Sequence, residues 1–229
     1  MARGAGAGAG AGRLGSGETA AVKIEIWSDI MCPWCYIGKA RLDTAIERFG
    51  GRDDVEVVWR SFELRPEQPR TPGATLGEMM RQRLGLRPGD TVALFEKIRV
   101  LGEAEGLDIR LTDVRPVNSF DAQRLVHLAA GSGRAHRLKD ELFKAYLTSH
   151  QNVADHDVLS RLATGAGLET AAVDAVLAGD SYAREVREDE AAAVRHGVTG
   201  VPTVFVDGAR IAAGVPSVEQ IHSALVEAG

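Results

Sequence analysis

The 229-residue chain has a formal net charge of −5 and is 45% hydrophobic and 26% charged, the balance of a soluble globular protein. Its acidic balance gives no electrostatic reason to expect nucleic acid or an anionic membrane surface as a partner. The longest apolar runs, such as residues 201–206, are too short to span a bilayer, so no membrane segment is predicted.

The N-terminal stretch is nearly pure Gly-Ala alternation from Arg3 to Gly12. A secretory signal needs a more apolar core, and a transit peptide needs an amphipathic helix that glycine at every second position opposes. We therefore interpret residues 1–21 as a flexible tail or the product of an upstream start codon. Without an export signal, the predicted location is the reducing cytoplasm.

A strand–helix–strand unit follows the tail. Residues 22–28 form an apolar, β-branched strand, and a helix is predicted from Pro33 to Phe49, ended by glycine. A second strand is predicted at residues 55–62. This order indicates two parallel strands joined by a right-handed crossover.

From about residue 75 to residue 195 the pattern is almost wholly helical. The predicted helices cover residues 75–84, 90–105, 118–131, 134–149, 155–165, 169–178 and 181–196. Asp90 and Asp155 are predicted as N-caps of two of them.

The β pattern returns after this helical block. Strands are predicted at residues 203–206 and 210–213 around an Asp207-Gly208 turn, before a last helix that opens with a capping box at Ser217. The outer pieces, residues 22–64 and 182–229, are predicted to complete one sheet. The intervening residues 65–181 are predicted to form a helical insertion domain.

The Cys32-Pro33-Trp34-Cys35 stretch contains the only two cysteines of the chain. At this spacing, cysteines in a reducing compartment form a redox pair or half of a metal site. Zinc needs four ligands, and the sequence offers neither a second C-x-x-C nor a closely spaced pair of histidines. A redox pair without a metal is therefore the favoured interpretation.

Pro33 suits the first position of a helix, which places Cys32 at the helix N-terminus. There the free N–H groups and the helix dipole favour a thiolate. No Lys, Arg or His lies within three residues of Cys32, so the helix end is predicted to be the main local source of stabilisation. Cys35 follows one turn later on the same face. We predict that Cys32 is the exposed attacking thiol and Cys35 the more buried resolving thiol.

Pro202 stands at the start of a predicted buried strand, where it removes a hydrogen-bond donor from the ladder. A cis Val201–Pro202 bond would account for it, and an ordinary trans proline is the alternative. The cysteine motif upstream favours the cis form. Trp34, between the cysteines, is interpreted as a partly exposed contact rather than a residue packed on the insertion.

Residues 27–39, with the sequence WSDIMCPWCYIGK, together with residues 200–203 resemble the FrnE-like branch of the DsbA family of thiol–disulfide oxidoreductases. Residues 61–64 and 118–125 match as well, and the resemblance covers about residues 22–229. It implies an α/β, thioredoxin-like fold with a large all-helical insertion between β-α-β and α-β-β-α halves.

The resemblance implies that Cys32 is the nucleophile and Cys35 the resolving cysteine. The residues predicted to contact substrate are Pro33, Trp34, Asn118, Val201 and Pro202. The implied partners are disulfide- or thiol-containing proteins or small thiols, bound by a monomer or homodimer. No cofactor is implied besides the redox-active disulfide, with glutathione as a candidate co-substrate. The chain departs from many relatives at Gln123, where they carry His.

Two alternatives stay open at this point. Glutathione-dependent 2-hydroxychromene-2-carboxylate isomerases and kappa-class glutathione transferases belong to the same superfamily and act on small aromatic compounds. They typically have Ser in place of Cys32, so cysteine at both positions favours disulfide exchange. A peptide-binding module whose thiols are dispensable is the non-enzymatic alternative.

Overall fold

The computed structural model describes residues 21–50 and 54–229, so the tail predicted over residues 1–21 lies outside the described residues except for Ala21. The elements in chain order are β1 (Val22–Ser28), α1 (Pro33–Phe49), β2 (Val55–Ser61), α2 (Leu76–Leu84), α3 (Pro88–Ala104), α4 (Phe120–Ala130), α5 (Ala135–Leu147), α6 (His156–Gly165), α7 (Thr170–Ala178), α8 (Ala183–Arg195), β3 (Thr203–Val206), β4 (Ala209–Ala213) and α9 (Val218–Ala228).

The four strands form one sheet in the order β2-β1-β3-β4. β1 pairs in parallel with β2, as the crossover predicts, and antiparallel with β3. The turn between β3 and β4 has positive φ at both Asp207 (44°) and Gly208 (79°), the backbone that a two-residue hairpin favours. The predicted α/β, thioredoxin-like fold is confirmed, with β1 and its C-terminal loop at the centre.

The predicted helices are all present, and their ends differ by a few residues from the predicted ones. Asp155 caps α6, as expected, by accepting hydrogen bonds from the N–H groups of Asp157 and Val158. The prediction that Asp90 is an N-cap is wrong. Proline can begin a helix because its missing N–H is not needed there, so α3 begins at Pro88. Asp90 therefore lies inside the first turn and accepts from the N–H of Arg87 at 3.1 Å.

One continuous apolar core joins the sheet to the helical block. Fully buried side chains of this core include Ile24 in β1, Ile37 in α1, Leu125 in α4 and Leu142 in α5. A smaller cluster around Trp27 and Phe205 packs on the other face of the sheet with Ala193 of α8. The division into domains at residues 64/65 and 181/182 stays a prediction. No helix within the described residues is long and apolar enough to cross a membrane.

Candidate active site

The cysteine pair lies where the central strand ends and α1 begins. Cys32 is the N-cap of α1, with extended backbone (φ −94°, ψ 112°), and Pro33 occupies the first turn. The N–H of Cys32 donates to the carbonyl of Asp29 at 3.2 Å, and the N–H of Cys35 donates to the carbonyl of Cys32 at 3.0 Å. Cys32 thus lies at the start of α1, as predicted, and local hydrogen bonds fix the backbone of both cysteines.

Both thiols are buried, so the prediction that Cys32 is exposed is wrong. The exposed fraction is 4% for Cys32 and 2% for Cys35, and both are free thiols. The loop before β3 covers the end of α1, and the Sγ of Cys32 donates to the carbonyl oxygen of Val201 at 3.5 Å. A helix N-terminus alone would leave Cys32 open. The covering backbone is 169 positions away in sequence and could not be read from the cysteine motif.

The peptide bond between Val201 and Pro202 is cis, as the sequence predicts. Val201 is half-buried and Pro202 is buried. The loop is anchored by Thr203, whose Oγ1 donates to the carbonyl of Gly200 at 2.7 Å. The ring of Pro202 packs over Gly38 of α1, since a Cβ on that glycine would lie 3.5 Å from the Cγ of Pro202. The loop before β3 therefore rests directly on the helix that begins at the cysteines.

Ionisation of Cys32 in the reduced pair is disfavoured. The neighbouring Cys35 side chain, burial and the Asp29 carboxylate raise the pKa of the Cys32 thiol well above its ordinary value, against the lowering effect of the N–H of Cys35. Two sulfurs in contact cannot both carry charge without strong repulsion. The N–H of Cys35 at the helix end stabilises the thiolate, as predicted, but burial and the neighbouring groups outweigh this contribution.

Asp29 organises the loop between β1 and α1. Its carboxylate is fully buried and accepts from the N–H of Met31 at 3.2 Å and from the N–H of Leu64 at 2.7 Å. Burial raises the pKa of Asp29, and these N–H groups, the Ser119 side chain and the charge of Lys139 lower it. Asp29 thus ties the cysteine loop to the segment that follows β2.

Two buried side chains from the helical block, Lys139 and Gln123, support the same loop from beneath. Lys139 of α5 is 0% exposed, and its ammonium donates to the carbonyl and the hydroxyl of Ser28 at 3.3 and 3.4 Å and to the Oε1 of Gln123 at 3.4 Å. Gln123 of α4 donates to the carbonyl of Ser28 at 3.0 Å. The amide of Gln123 therefore hydrogen-bonds to the end of β1, at a position where many relatives are expected to carry a histidine.

Sequence reasoning missed Lys139, although one signal was present. Lys139 shares a helical face with Leu142, Phe143 and Tyr146, which are all buried. A lysine on the apolar face of a helix has to find buried partners or a function, because lysines are almost never fully buried without them.

The remaining predicted site residues lie around this centre. Trp34 is half-buried and packs against the core. The Nδ2 of Asn118 donates to Glu63 at 3.2 Å and to the Pro66 carbonyl at 3.0 Å, and its Oδ1 accepts from the N–H of Phe120 at 2.9 Å. Asn118 thereby fixes the start of α4 to the segment after β2.

Two cavities in the described part of the chain differ in size and in their distance from the cysteines. A cavity of about 10 Å³ is lined by Cys35, Trp59 and Pro202 among others, which is too small for a substrate. A surface depression of about 920 Å³ lies between α2, α3 and residues 108–113, and no predicted site residue lines it. Among residues 21–50 and 54–229, no group of three or more His, Cys, Asp or Glu side chains could hold a metal ion.

Comparisons with known proteins place this geometry in context. Residues 23–226 match the model of the DSBA-like thioredoxin domain. The Bacillus subtilis (strain 168) protein YwbO is 30% identical over 210 residues, which cover 89% of this chain and 96% of YwbO. The crystal structure of probable DsbA oxidoreductase SCO1869 from Streptomyces coelicolor is similar with 40% identity and a TM-score of 0.84, covering 90% of this chain and 89% of that one. Cytosolic disulfide reductase DsbM from Pseudomonas aeruginosa with GSH shares the fold at 17% identity and a TM-score of 0.61, covering 90% and 96%.

Proposed function

Since the chain belongs to the family of DSBA-like thioredoxin domains, we propose that it is a thiol–disulfide oxidoreductase in which Cys32 attacks and Cys35 resolves. The observation that carries this proposal is the free dithiol at the start of α1, with the Sγ of Cys32 3.5 Å from the backbone of Val201. Oxidoreductase or isomerase activity is general in this family, and the assignment of the two sulfur roles is our proposal.

The proposed reaction is two successive thiol–disulfide exchanges. The Cys32 thiolate attacks one sulfur of a substrate disulfide, forms a mixed disulfide and releases the other substrate sulfur as a thiolate. Cys35 then loses its proton and attacks the Sγ of Cys32, which closes the Cys32–Cys35 disulfide and releases the second substrate thiolate. The substrate gains two electrons and the protein loses two, and the reverse sequence oxidises a substrate dithiol.

The substrate is proposed to enter as an extended segment beside Val201. The carbonyl of Val201 already accepts from Cys32, so a substrate backbone pairing with Val201 would bring its own sulfur to the same place. Half-buried Pro33 and Trp34 border this position and suit contact with either a peptide or a small thiol. Asn118 is proposed to act at the edge of the groove through the segment that it holds. Action in the cytoplasm, as a monomer or homodimer, stays a prediction.

The test is reduction of insulin and refolding of reduced ribonuclease by the wild-type protein, Cys32→Ser and Cys35→Ser. We expect Cys32→Ser to lose at least about a hundredfold in rate, because the attacking thiolate is absent. Cys35→Ser should accumulate the mixed disulfide with substrate, since nothing resolves it. Thermal unfolding of each variant serves as the control for folding. Wild-type activity in Cys32→Ser would refute the proposal.

Glutathione use is a second candidate, because the fold is shared with DsbM, whose structure was determined with GSH. In this alternative bound glutathione supplies the reactive thiol for an isomerase or transferase acting on small aromatic compounds. Titration calorimetry with reduced glutathione and turnover that survives Cys35→Ala would favour it, and the absence of binding would exclude it. A redox titration of Cys32–Cys35 against glutathione gives the direction in which the proposed oxidoreductase can run.

A further inference from the structure

Lys139 is a buried cation that the reaction described above does not use. Its three hydrogen-bond acceptors are neutral, and the distances of 3.3–3.4 Å are long. Within the described part of the chain, no carboxylate makes an ion pair with its ammonium. A fully buried ammonium without a counter-ion is costly, so its field acts on whatever ionisable groups lie nearby.

The ionisable groups near Lys139 include the two thiols. The ammonium of Lys139 lies between two aromatic rings, 5.5 Å from the ring centre of Trp59 and 5.7 Å from that of Phe143. Trp59 lines the same small cavity as Cys35. Phe143 stacks on Tyr36, the next residue after Cys35, with ring centres 5.1 Å apart. One aromatic neighbour of Lys139 therefore shares a cavity with Cys35, and the other packs on the residue that follows Cys35.

The neighbouring negative charges all favour the protonated form of Lys139. Burial lowers the pKa of Lys139 to about 8, and the charges of Cys35, Asp29, Asp189 and Cys32, in that order, raise it. The Asp29 carboxylate comes from the cysteine loop and that of Asp189 from α8. Interaction between two ionisable groups is mutual, so a sulfur that favours the ammonium is itself favoured as a thiolate by that ammonium.

We propose that Lys139 is a positioning residue for the redox pair, whose buried ammonium stabilises the thiolate form of the dithiol and so raises its reduction potential. The inference rests on the proposed function. Reduction of the disulfide by two glutathione thiols transfers two electrons and leaves one thiol and one thiolate on the protein. One proton goes to the second sulfur and one to water. The disulfide carries no charge for Lys139 to stabilise, so the ammonium favours only the reduced state.

The test compares Lys139→Met and Lys139→Gln with Lys144→Met. Both Lys139 variants remove the charge. Met retains the length of the side chain, and Gln retains part of its hydrogen bonding. Lys144 provides the matched control, since it lies on the same helix, with 54% of its side chain exposed, and pairs with Asp140 at 2.8 Å. The readouts are the equilibrium constant with glutathione and the pH titration of thiolate ultraviolet absorbance.

We expect the equilibrium constant for reduction of the Cys32–Cys35 disulfide by glutathione to be about tenfold lower in both Lys139 variants. This corresponds to a reduction potential about 30 mV more negative. The thiolate should titrate at higher pH in both, and Lys144→Met should match the wild type. Folded Lys139 variants with the wild-type equilibrium constant and thiolate titration would overturn the inference. A wild-type protein with no exchange activity would instead overturn the proposed function.

A second measurement needs no substitution and covers the case in which the variants do not fold. Nuclear magnetic resonance of the Lys139 side chain can follow its titration in the reduced and the oxidised wild-type protein. Oxidation removes the thiolate, so the ammonium should lose its proton at lower pH in the oxidised form. Identical titrations in the two redox forms would contradict the inference.

Discussion

Two regions meet beneath the cysteines, and they contribute different kinds of chemical group to the site. The sheet-forming region supplies the atoms that are proposed to react or to contact substrate, namely Cys32 and Cys35 at the start of α1 and the loop before β3. The helical block supplies buried polar groups that reach across to this region. Lys139 and Gln123 bind the end of β1 in this way. Three partly buried contacts cross the same boundary, namely His127 with Ser61, His136 with Asp43 and Asn118 with Glu63.

The difference shows that the helical block is more than a cover over the sheet. Each of these cross-contacts places a hydrogen-bonding group of the helical block against the sheet-forming region. Removing one partner of such a buried contact costs more than the contact itself contributes, because the other group is left unsatisfied. The geometry of the cysteine loop therefore depends on residues that take no part in the exchange.

The largest expected effect tests whether the two regions unfold as one unit. Leu42→Ala in α1 and Leu142→Ala in α5 remove matched side chains that are 1% and 0% exposed in the shared core. We expect each variant to lose about 2–5 kcal/mol in the free energy of unfolding, since a buried cavity is created in both. Urea unfolding followed by circular dichroism and tryptophan fluorescence should give one coincident transition in each case. Two separated transitions in Leu142→Ala would show that the helical block melts independently.

A medium effect is expected at a polar contact between the regions. Burial alone would raise the pKa of Asp43 in α1, but the hydrogen bond and charge of His136 in α5 and the charge of Lys39 hold it well below its usual range. A carboxyl whose pKa is lowered in the folded state stabilises the protein at pH values above its ordinary pKa near 4. This contribution is lost as the pH falls from there towards the lowered pKa. Acid should therefore weaken the junction between α1 and α5.

We expect Asp43→Asn to destabilise the protein by about 1–3 kcal/mol at neutral pH, the range for hydrogen bonds to charged groups. The difference from the wild type should shrink as the pH is lowered below about 4. Denaturant unfolding over a pH series measures this directly. Asp113→Asn, at an exposed carboxylate of the helical block, is the control. A penalty for Asp43→Asn that stayed constant down to pH 2 would contradict the assignment.

The smallest effect is expected on the outer surface of the helical block. Arg99 of α3 pairs with Glu96 at 2.6 Å and also with Glu103, and all three side chains are exposed. Such surface pairs are screened by water and salt, so Arg99→Ala should leave the urea midpoint and the exchange activity unchanged. A measurable loss of exchange activity would mean that the outer surface of the helical block influences the reaction of the cysteines.

Local patterns made much of the fold predictable. Pro33 after Cys32, the Asp207-Gly208 turn and the capping box at Ser217 each depend on residues within a few positions. The cis bond before Pro202 was predicted from the cysteine motif together with the proline. The structure confirms all four features, and short-range geometry decides the first three.

Long-range features of the site were not predictable in the same way. The burial of Cys32 depends on Val201, and the buried ammonium at the end of β1 comes from Lys139 in a helix that carries no redox motif. Asp189 lies among charged residues in α8, yet it is 3% exposed and accepts from the N–H of Ser61 at 2.8 Å. Sequence periodicity indicates which face of a helix is buried. It does not indicate which polar side chain finds a partner there.

The order of strands in the sheet has a consequence for synthesis of the protein. β1 is the first strand to leave the ribosome, but it lies between β2 and β3, and β3 follows only after the whole segment from Phe62 to Pro202. At about 5–20 residues per second, translation of that segment takes on the order of ten seconds. During this interval the nascent chain displays Cys32 and Cys35 without the backbone that later covers them. Until β3 has been made, the two cysteines are therefore open to the thiols and oxidants around the ribosome.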